Sequence, residues 1–458
     1  MKKLFTWLNK TKVFRDLSPQ EFSWVLYDVG NSAYTMLACS LIPIWFKELA
    51  IRYAVDPIKD EAGNIIKEGV AVAGYLTGSE ATSYLSHVFA IVTLIVAVLG
   101  PICGVLADRK DSKKIFFQTT VAAGVLFCVL NSFAWSWMTF LALYILTKIL
   151  YQASLTFYDS MLNDVTSEDR MDAVSSYGYA WGYIGSCIPF LVALIAYILG
   201  GGGGILKTPL FPAMVGRVIG FTVTAVWWLL VTLPLIRNYK QRNYVESTHT
   251  TVAEVFRKIF NTLKKIAIHD KKVLFFLIAF FLYIDGVGTI IDNCINIGTD
   301  LGLNTVGQVV FLLATQVVAW IGSLVFTKLS KKFKTVPLIL VCIVGYFGVC
   351  LYALTLKTLL HFGILAFGVG CFQGSIQSLS RSYYSKIIPP ENSGEYFGIY
   401  DIFCKGASFL GSEVIAWVKW AGGTINIAVA SLAIFFALGF LFLVISSKQK
   451  SLNRASNE

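Results

Sequence analysis

The chain has 458 residues, of which 56% are hydrophobic and only 14% charged, with a mean hydropathy of +0.67. A water-soluble chain of this length needs far more charge to cover its surface, so lipid is the expected solvent for most side chains. The formal net charge of +11 follows from cations placed in the loops on one side, as shown below, and does not indicate nucleic-acid binding.

A bilayer core of about 30 Å is crossed by about 20 apolar residues. Twelve windows meet that length, at 22–49, 85–106, 115–134, 137–158, 174–199, 213–236, 273–297, 304–327, 336–356, 360–380, 396–418 and 424–446. Short polar turns join most neighbours, as antiparallel helices require. The first window is too long and too polar for the apolar region of a signal peptide, so it is expected to stay as the first helix. An outer loop at 50–84 follows it, and Gly200–Gly204 reads as a flexible spacer in a later outer loop. The basic segment 237–272 separates windows six and seven. Within it Val252, Val255, Phe256, Ile259, Leu263 and Ile266 recur at helical spacing opposite Lys and Arg, which predicts a helix lying on the membrane surface.

Twenty-eight of the 38 Lys and Arg residues fall in the N-terminal segment, the C-terminal tail and alternate loops, eight fall on the opposite side, and Lys148 and Lys405 lie inside windows. The excess of cations on the cytoplasmic side of membrane proteins then predicts that both termini are cytoplasmic. The expected organisation is a cytoplasmic segment 1–21, an N-terminal six-helix bundle 22–236, the linker 237–272, a C-terminal six-helix bundle 273–446 and a tail 447–458. All nine cysteines fall within apolar windows and have no metal-ligand spacing, so they read as packing residues. The four histidines are scattered, and no ATP-binding pattern, cofactor motif or catalytic cluster is expected.

The two groups of six windows resemble each other. Tyr151-Gln152-Ala153-Ser154 matches Phe372-Gln373-Gly374-Ser375, Tyr177-Gly178 matches Phe397-Gly398, and Gly104 matches Gly322, at nearly constant offsets. The Leu26-Tyr27-Asp28 match to Leu282 through Asp285 has a larger offset because the first outer loop is longer. A parallel six-plus-six repeat is therefore predicted.

Gly104-Val-Leu-Ala-Asp108-Arg109-Lys-Asp-Ser-Lys113-Lys114 resembles the signature between helices two and three of the major facilitator superfamily, although Asp111 and Ser112 replace the usual Gly and Arg. The resemblance implies that Gly104, Asp108, Arg109 and Lys113 form a gating motif that latches one conformation. Trp24 through Tyr34, Tyr177 through Gly185, Trp227-Trp228, Phe280 through Val287 and Gln377 through Ser382 resemble the vacuole-effluxer-like transporters, a group that includes the fungal autophagy-related amino-acid effluxer and many bacterial members. That resemblance implies an all-α membrane protein of the major facilitator fold, with twelve helices in two parallel halves and no enzymatic activity.

Charge inside a membrane is costly and points to a pathway. Asp28 and Asn31 share a helical face, as do Asp285, Thr289 and Asp292; Lys148 and Gln152 are one turn apart, and so are Gln373 and Gln377, with Arg381 next on that face. Asp401 and Lys405 form a further pair at helical spacing. In the superfamily, helices one, four, seven and ten surround the cavity, and these stripes fall on those helices, with Lys405 on the eleventh. The expected activity is secondary active transport of a small polar solute by alternating access, coupled to protons, in the plasma membrane. Lys148 or Lys405 would hold an anionic group and Asp285 or Asp28 a cationic one, which would suit an amino acid. Sugars and organic anions remain open as substrates, and a non-transporting receptor or scaffold is the rival reading. The expected partners are the solute, protons and the lipid bilayer, with the protein a monomer.

Overall fold

A computed structural model describes residues 17–59, 65–67, 69–204, 206–246, 252–294, 297–298, 301–303, 305–405 and 409–449. Most of the expected N-terminal segment and of the C-terminal tail lies outside these residues.

The first span is made of α1 (Pro19–Cys39) and α2 (Leu41–Ala50), broken at Ser40. Ser18 starts it with a capping box. The Glu21 N–H donates to Ser18 Oγ at 3.2 Å while the Ser18 N–H donates to Glu21 Oε2 at 2.7 Å, and Pro19 occupies the first helical position. The outer loop then forms two short antiparallel pairs, β1 (Tyr53–Val55) with β4 (Val70–Ala71) and β2 (Ile58–Lys59) with β3 (Ile65–Lys67). These strands were not expected in an all-helical chain, and they follow its β-branched and aromatic stretches. The loop is also shorter than expected. A capping box between Thr77 and Glu80 starts α3 (Gly78–Ala107) seven residues before the apolar window does.

The remaining first-half elements are α4 (Ser112–Ser132), α5 (Trp137–Ser160) with the short α6 (Leu162–Val165), α7 (Met171–Leu199) and α8 (Ala213–Asn238). The linker helix α9 (Val252–Ile268) follows. The second half contains α10 (Lys271–Asp292), α11 (Thr305–Leu329), α12 (Thr335–Tyr352), α13 (Leu359–Ile387), α14 (Ser393–Lys405), α15 (Phe409–Trp420), α16 (Ile425–Ser431) and α17 (Ala433–Lys448). Among the described residues eleven helical segments are long and apolar enough to cross a membrane. The twelfth expected span, the eleventh in order, is represented by α14 and α15, with 406–408 between them outside the described residues.

Buried apolar residues form two separate cores, one running from Leu17 to Tyr239 and the other from Ile266 to Leu443. The packing pattern repeats between them. In the first half α1 packs on α7 and α8, α4 on α5 and α8, and α3 on α5; in the second α10 packs on α14 and α17, α12 on α13 and α17, and α11 on α13. This is the parallel repeat that the sequence offsets predicted. Large apolar side chains such as Leu94, Leu126, Leu230, Val344 and Ile434 are exposed on the outside, as expected of a surface solvated by lipid tails. The halves meet along α3 with α14 and along α7 with α11 and α13.

Candidate functional site

The segments around 107–114, 159–173, 237–246, 252–270, 328–335 and 388–392 lie at one end of the bundle, here called the basic end; the strand pairs lie at the other, the hairpin end. The polar contacts between the halves fall into three groups near the basic end.

The outermost group is built on Gly104 and Asp108. A Cβ on Gly104 would lie 2.6 Å from the Gly394 carbonyl carbon, and one on Gly398 would lie 2.6 Å from the Gly100 carbonyl oxygen. Glycine at these positions is what lets the α3 and α14 backbones touch. With the helices that close, the Gly394 and Glu395 N–H groups donate to Asp108 Oδ1 at 2.7 Å and Oδ2 at 2.9 Å. Asp108 thus satisfies the open N–H groups at the start of α14, where the helix dipole also favours an anion. Lys113 Nζ, fully buried, donates to Ser393 Oγ at 2.9 Å and pairs with Asp164 at 3.4 Å and Asp108 at 3.8 Å. Asp164 is itself held by the Tyr239 hydroxyl at 2.5 Å and by the Arg242 and Asn243 N–H groups. Burial pushes the Asp108 carboxyl up to about 6, against the opposing pull of Lys113 and the two backbone N–H groups, so it is ionised at neutral pH. Arg109 takes no part in this latch: among the described residues its Nη2 is buried with no hydrogen-bond partner.

A second group joins α7 to the other half. Asp172 accepts from Ser382 Oγ at 2.5 Å and Thr335 Oγ1 at 2.7 Å and pairs with Lys386 at 2.7 Å. Asn163 Nδ2 donates to the Ser385 carbonyl at 3.2 Å.

The third group surrounds Arg381. The apolar window ends at 380, but α13 continues to Ile387 and carries Arg381, next on the Gln373 and Gln377 face, into the seam at 3% exposure. Its Nη2 donates to Asp28 Oδ2 at 3.1 Å, Nη1 to Asp159 Oδ1 at 3.0 Å and Nε to Ser175 Oγ at 2.9 Å. The guanidinium also lies over the rings of Trp24, Tyr179 and Tyr158, at 4.5, 4.6 and 5.3 Å from their centroids. Gly178 leaves room for Asp28, since a Cβ there would collide with its carboxylate. Nearby, Ser175 Oγ donates to the Ser378 carbonyl at 2.8 Å and Thr156 bonds to Asp401. All the inter-half bonds named so far lie within roughly 14 Å of the basic end at 1.5 Å per residue.

Toward the hairpin end the inner faces are wetter. Thr35, Cys39 and Asp292 are exposed, and Lys148, Gln152, Gln373 and Gln377 are half-buried. Lys148 Nζ lies 5.7 Å from the Tyr151 ring centroid, and Lys148 and Asp292 are both within electrostatic range of Cys39. The first, fourth and seventh spans therefore converge here. Gln377 Nε2 donates to the Gln373 carbonyl at 3.1 Å, and the Gln373 side chain bonds to Tyr183.

The sequence-selected residues thus divide. Asp28 and Asn31 join Arg381, with Asn31 Nδ2 at 3.5 Å from Asp28 Oδ1. Lys148, Gln152, Gln373 and Gln377 line the seam above. Asp285 sits elsewhere, accepting the Gly411 N–H at 3.0 Å and so holding the start of α15. Thr289 is buried against the same glycine. Asp292 is the last residue of α10, at the mouth rather than at mid-depth. The Lys405 side chain falls outside the described residues. Sequence reading missed Asp159, which directly follows the fourth apolar window and was counted as loop; a carboxylate abutting a window that already holds Lys148 and Gln152 was the available signal.

A family model described as Vacuole effluxer Atg22 like matches residues 19–456. The chain belongs to this family. It is 37% identical over 444 residues to the uncharacterized MFS-type transporter YxiO of Bacillus subtilis (strain 168), covering 96% of this chain and 97% of that protein. It is 28% identical over 298 residues to Autophagy-related protein 22-1 of Sclerotinia sclerotiorum, where the match covers 58% of this chain and 48% of the fungal protein; the chain spans about half the length of that relative. The crystal structure of the major facilitator superfamily transporter FucP in the outward conformation superposes with a TM-score of 0.69 at 15% identity, covering 94% of this chain and 99% of that one. The proton:xylose symporter XylE gives 0.66 at 13% identity, covering 93% and 94%. These likenesses show the major facilitator fold, and with the family they make this Atg22-like chain a multi-pass membrane transporter of the major facilitator type.

Proposed function

We propose that the protein is a secondary active transporter that moves a small polar solute, of the amino-acid class, across the plasma membrane by alternating access with proton coupling. Both termini are cytoplasmic in this reading, so the basic end faces the cytoplasm and the conformation described here is open outward. The units that rock are the 22–236 and 273–446 bundles, joined by the 237–272 linker, with the amphipathic face of α9 on the inner membrane surface.

One observation carries the reading: Lys148, Gln152, Gln373 and Gln377 are half-buried at the seam, directly above an end sealed by polar contacts that can be broken and remade. Lys148 receives the anionic group of the solute, and the glutamines and Asn31 supply neutral hydrogen bonds. Asp28 and Asp285 are both engaged in this conformation, by Arg381 and by the Gly411 N–H. A cationic solute group therefore meets Asp28 only after Arg381 has moved.

The test begins with a thermal-shift screen of purified protein against amino acids, peptides, sugars and organic acids. Flux of the best ligand is then measured in proteoliposomes with and without a proton gradient. Amino-acid stabilisation and proton-driven flux, both lost in folded Lys148→Ala, are the expected result. Stabilisation by sugars or organic acids alone overturns the solute class. No flux of any ligand that binds favours a receptor or scaffold.

A further inference from the structure

Arg381 belongs to the second half, whereas every group in its pocket named above belongs to the first: Trp24 and Asp28 on α1, Tyr158 and Asp159 on α5, and Ser175 and Tyr179 on α7. A single guanidinium answers two carboxylates, whose side chains are 10% and 16% exposed. Among the described residues the other titratable groups facing this pair are Tyr27 on α1, Tyr151 on α5, Tyr183 on α7, and Asp401 and Tyr400 on α14; none of these is a cation. Any motion that parts the halves at the basic end withdraws the guanidinium from both acids together. Two neighbouring carboxylates left without the guanidinium repel each other, so the open state favours a positive charge in place of the arginine.

We propose that Asp159, acting with Asp28, is the proton-binding site of the transport cycle. One proton from water on the opening side bonds to a carboxylate oxygen of the pair as Arg381 leaves, and returns to water when Arg381 re-enters. The formal charge of the pocket is then −1 in both states: two carboxylates with one guanidinium, or two carboxylates with one proton. When Arg381 leaves, Asp28 keeps the Asn31 amide at 3.5 Å, whereas Asp159 is left facing Asp401. This assignment rests on the proton-coupled reading above and names the group that executes it.

The experiment needs no solute, so its failure and a failure of the solute assignment are distinguishable. Spin labels are placed at Lys110→Cys and Lys332→Cys, both exposed and in basic-end loops of opposite halves, on protein lacking the native cysteines and held in nanodiscs. Inter-label distances are recorded between about pH 7 and 8.5, above the range in which Asp108 titrates. The expected result is an open-to-closed ratio that rises about tenfold per pH unit of acidification, the slope for one linked proton. In Asp159→Asn the slope vanishes, and more protein is open at the alkaline limit than in the parent. Sodium at constant pH leaves the distances unchanged. A flat pH response in the parent overturns the proposal, as does a full slope in folded Asp159→Asn, or sodium substituting for protons. Asp28→Asn reaches the same pocket charge, so it must also flatten the slope; it serves as the second variant if Asp159→Asn does not fold.

Discussion

Gly104→Ala places one methyl group where α3 touches α14, and its cost can be worked from the geometry. The new Cβ would lie 2.6 Å from the Gly394 carbonyl carbon and 3.0 Å from the Glu395 nitrogen, both backbone atoms that cannot rotate away. The Gly394 carbonyl oxygen would lie closer still, so reaching ordinary contact requires the helices to separate by more than roughly 0.8 Å. That movement stretches the 2.7 Å bond from the Gly394 N–H to Asp108 beyond useful length. Overpacking of this kind costs about 1–3 kcal/mol, and losing a hydrogen bond to a charged group about 1.5–3 kcal/mol. The closed state should therefore weaken by about 3 kcal/mol or more, a shift of over about 100-fold toward the form parted at the basic end. The Lys110/Lys332 label pair reads this directly as growth of a longer distance. Gly348→Ala is the matched control, since a Cβ there meets nothing within 4 Å. A folded Gly104→Ala protein that keeps both the parental distance distribution and the parental melting temperature would refute the reasoning.

Asp172→Ala removes the acceptor of Ser382, Thr335 and Lys386, and should also lengthen the label distance, weakening the closed state by about 2 kcal/mol; no change would mean that this contact is passive. Glu21→Ala is expected to act differently, because among the described residues Glu21 bonds within the first half, to Ser18, Thr166 and Arg170. It should lower thermal stability by about 2 kcal/mol, allowing for the exposure of Arg170, yet leave the inter-half distance alone, and a shifted distance would remove the distinction. Asp108 adds a pH effect of its own. Its carboxyl is raised from 3.8 to about 6 in the closed state, so that state binds the proton more tightly and gains as acidity increases. The gain is complete below about pH 4 and lost as pH rises through 6. With Asp159→Asn present to silence the other site, the closed fraction should rise from pH 7 to 5, and Asp108→Asn should abolish the rise; a flat response would place the titration elsewhere.

Much of this fold was legible in the chain because lipid leaves little choice. A backbone crossing a bilayer must satisfy its own hydrogen bonds, so each apolar window of about 20 residues is a helix. The windows matched the observed spans closely. They failed where local polar chemistry extends a helix past its apolar part, as at Thr77–Glu80 before α3 and at Arg381–Ile387 at the end of α13. Of the four residues expected to act as a gate, Gly104, Asp108 and Lys113 meet at the contact between α3 and α14, while the Arg109 Nη2 has no hydrogen-bond partner among the described residues.

Hydropathy and repeat spacing are local properties of the chain, so they already tell which stretches are helices, that these form two related halves, and which charges must be hidden from lipid. Where those charges go depends on how the helices pack. Asp28 and Asp285 occupy similar positions in the two repeats, and their carboxylates look equivalent in the chain. One holds an arginine that arrives from the opposite half, 353 residues away, and the other accepts the Gly411 N–H of a helix in its own half. A carboxylate takes whichever donor the packing brings to it, and the packing of two halves across a seam is not a periodicity that any single window contains.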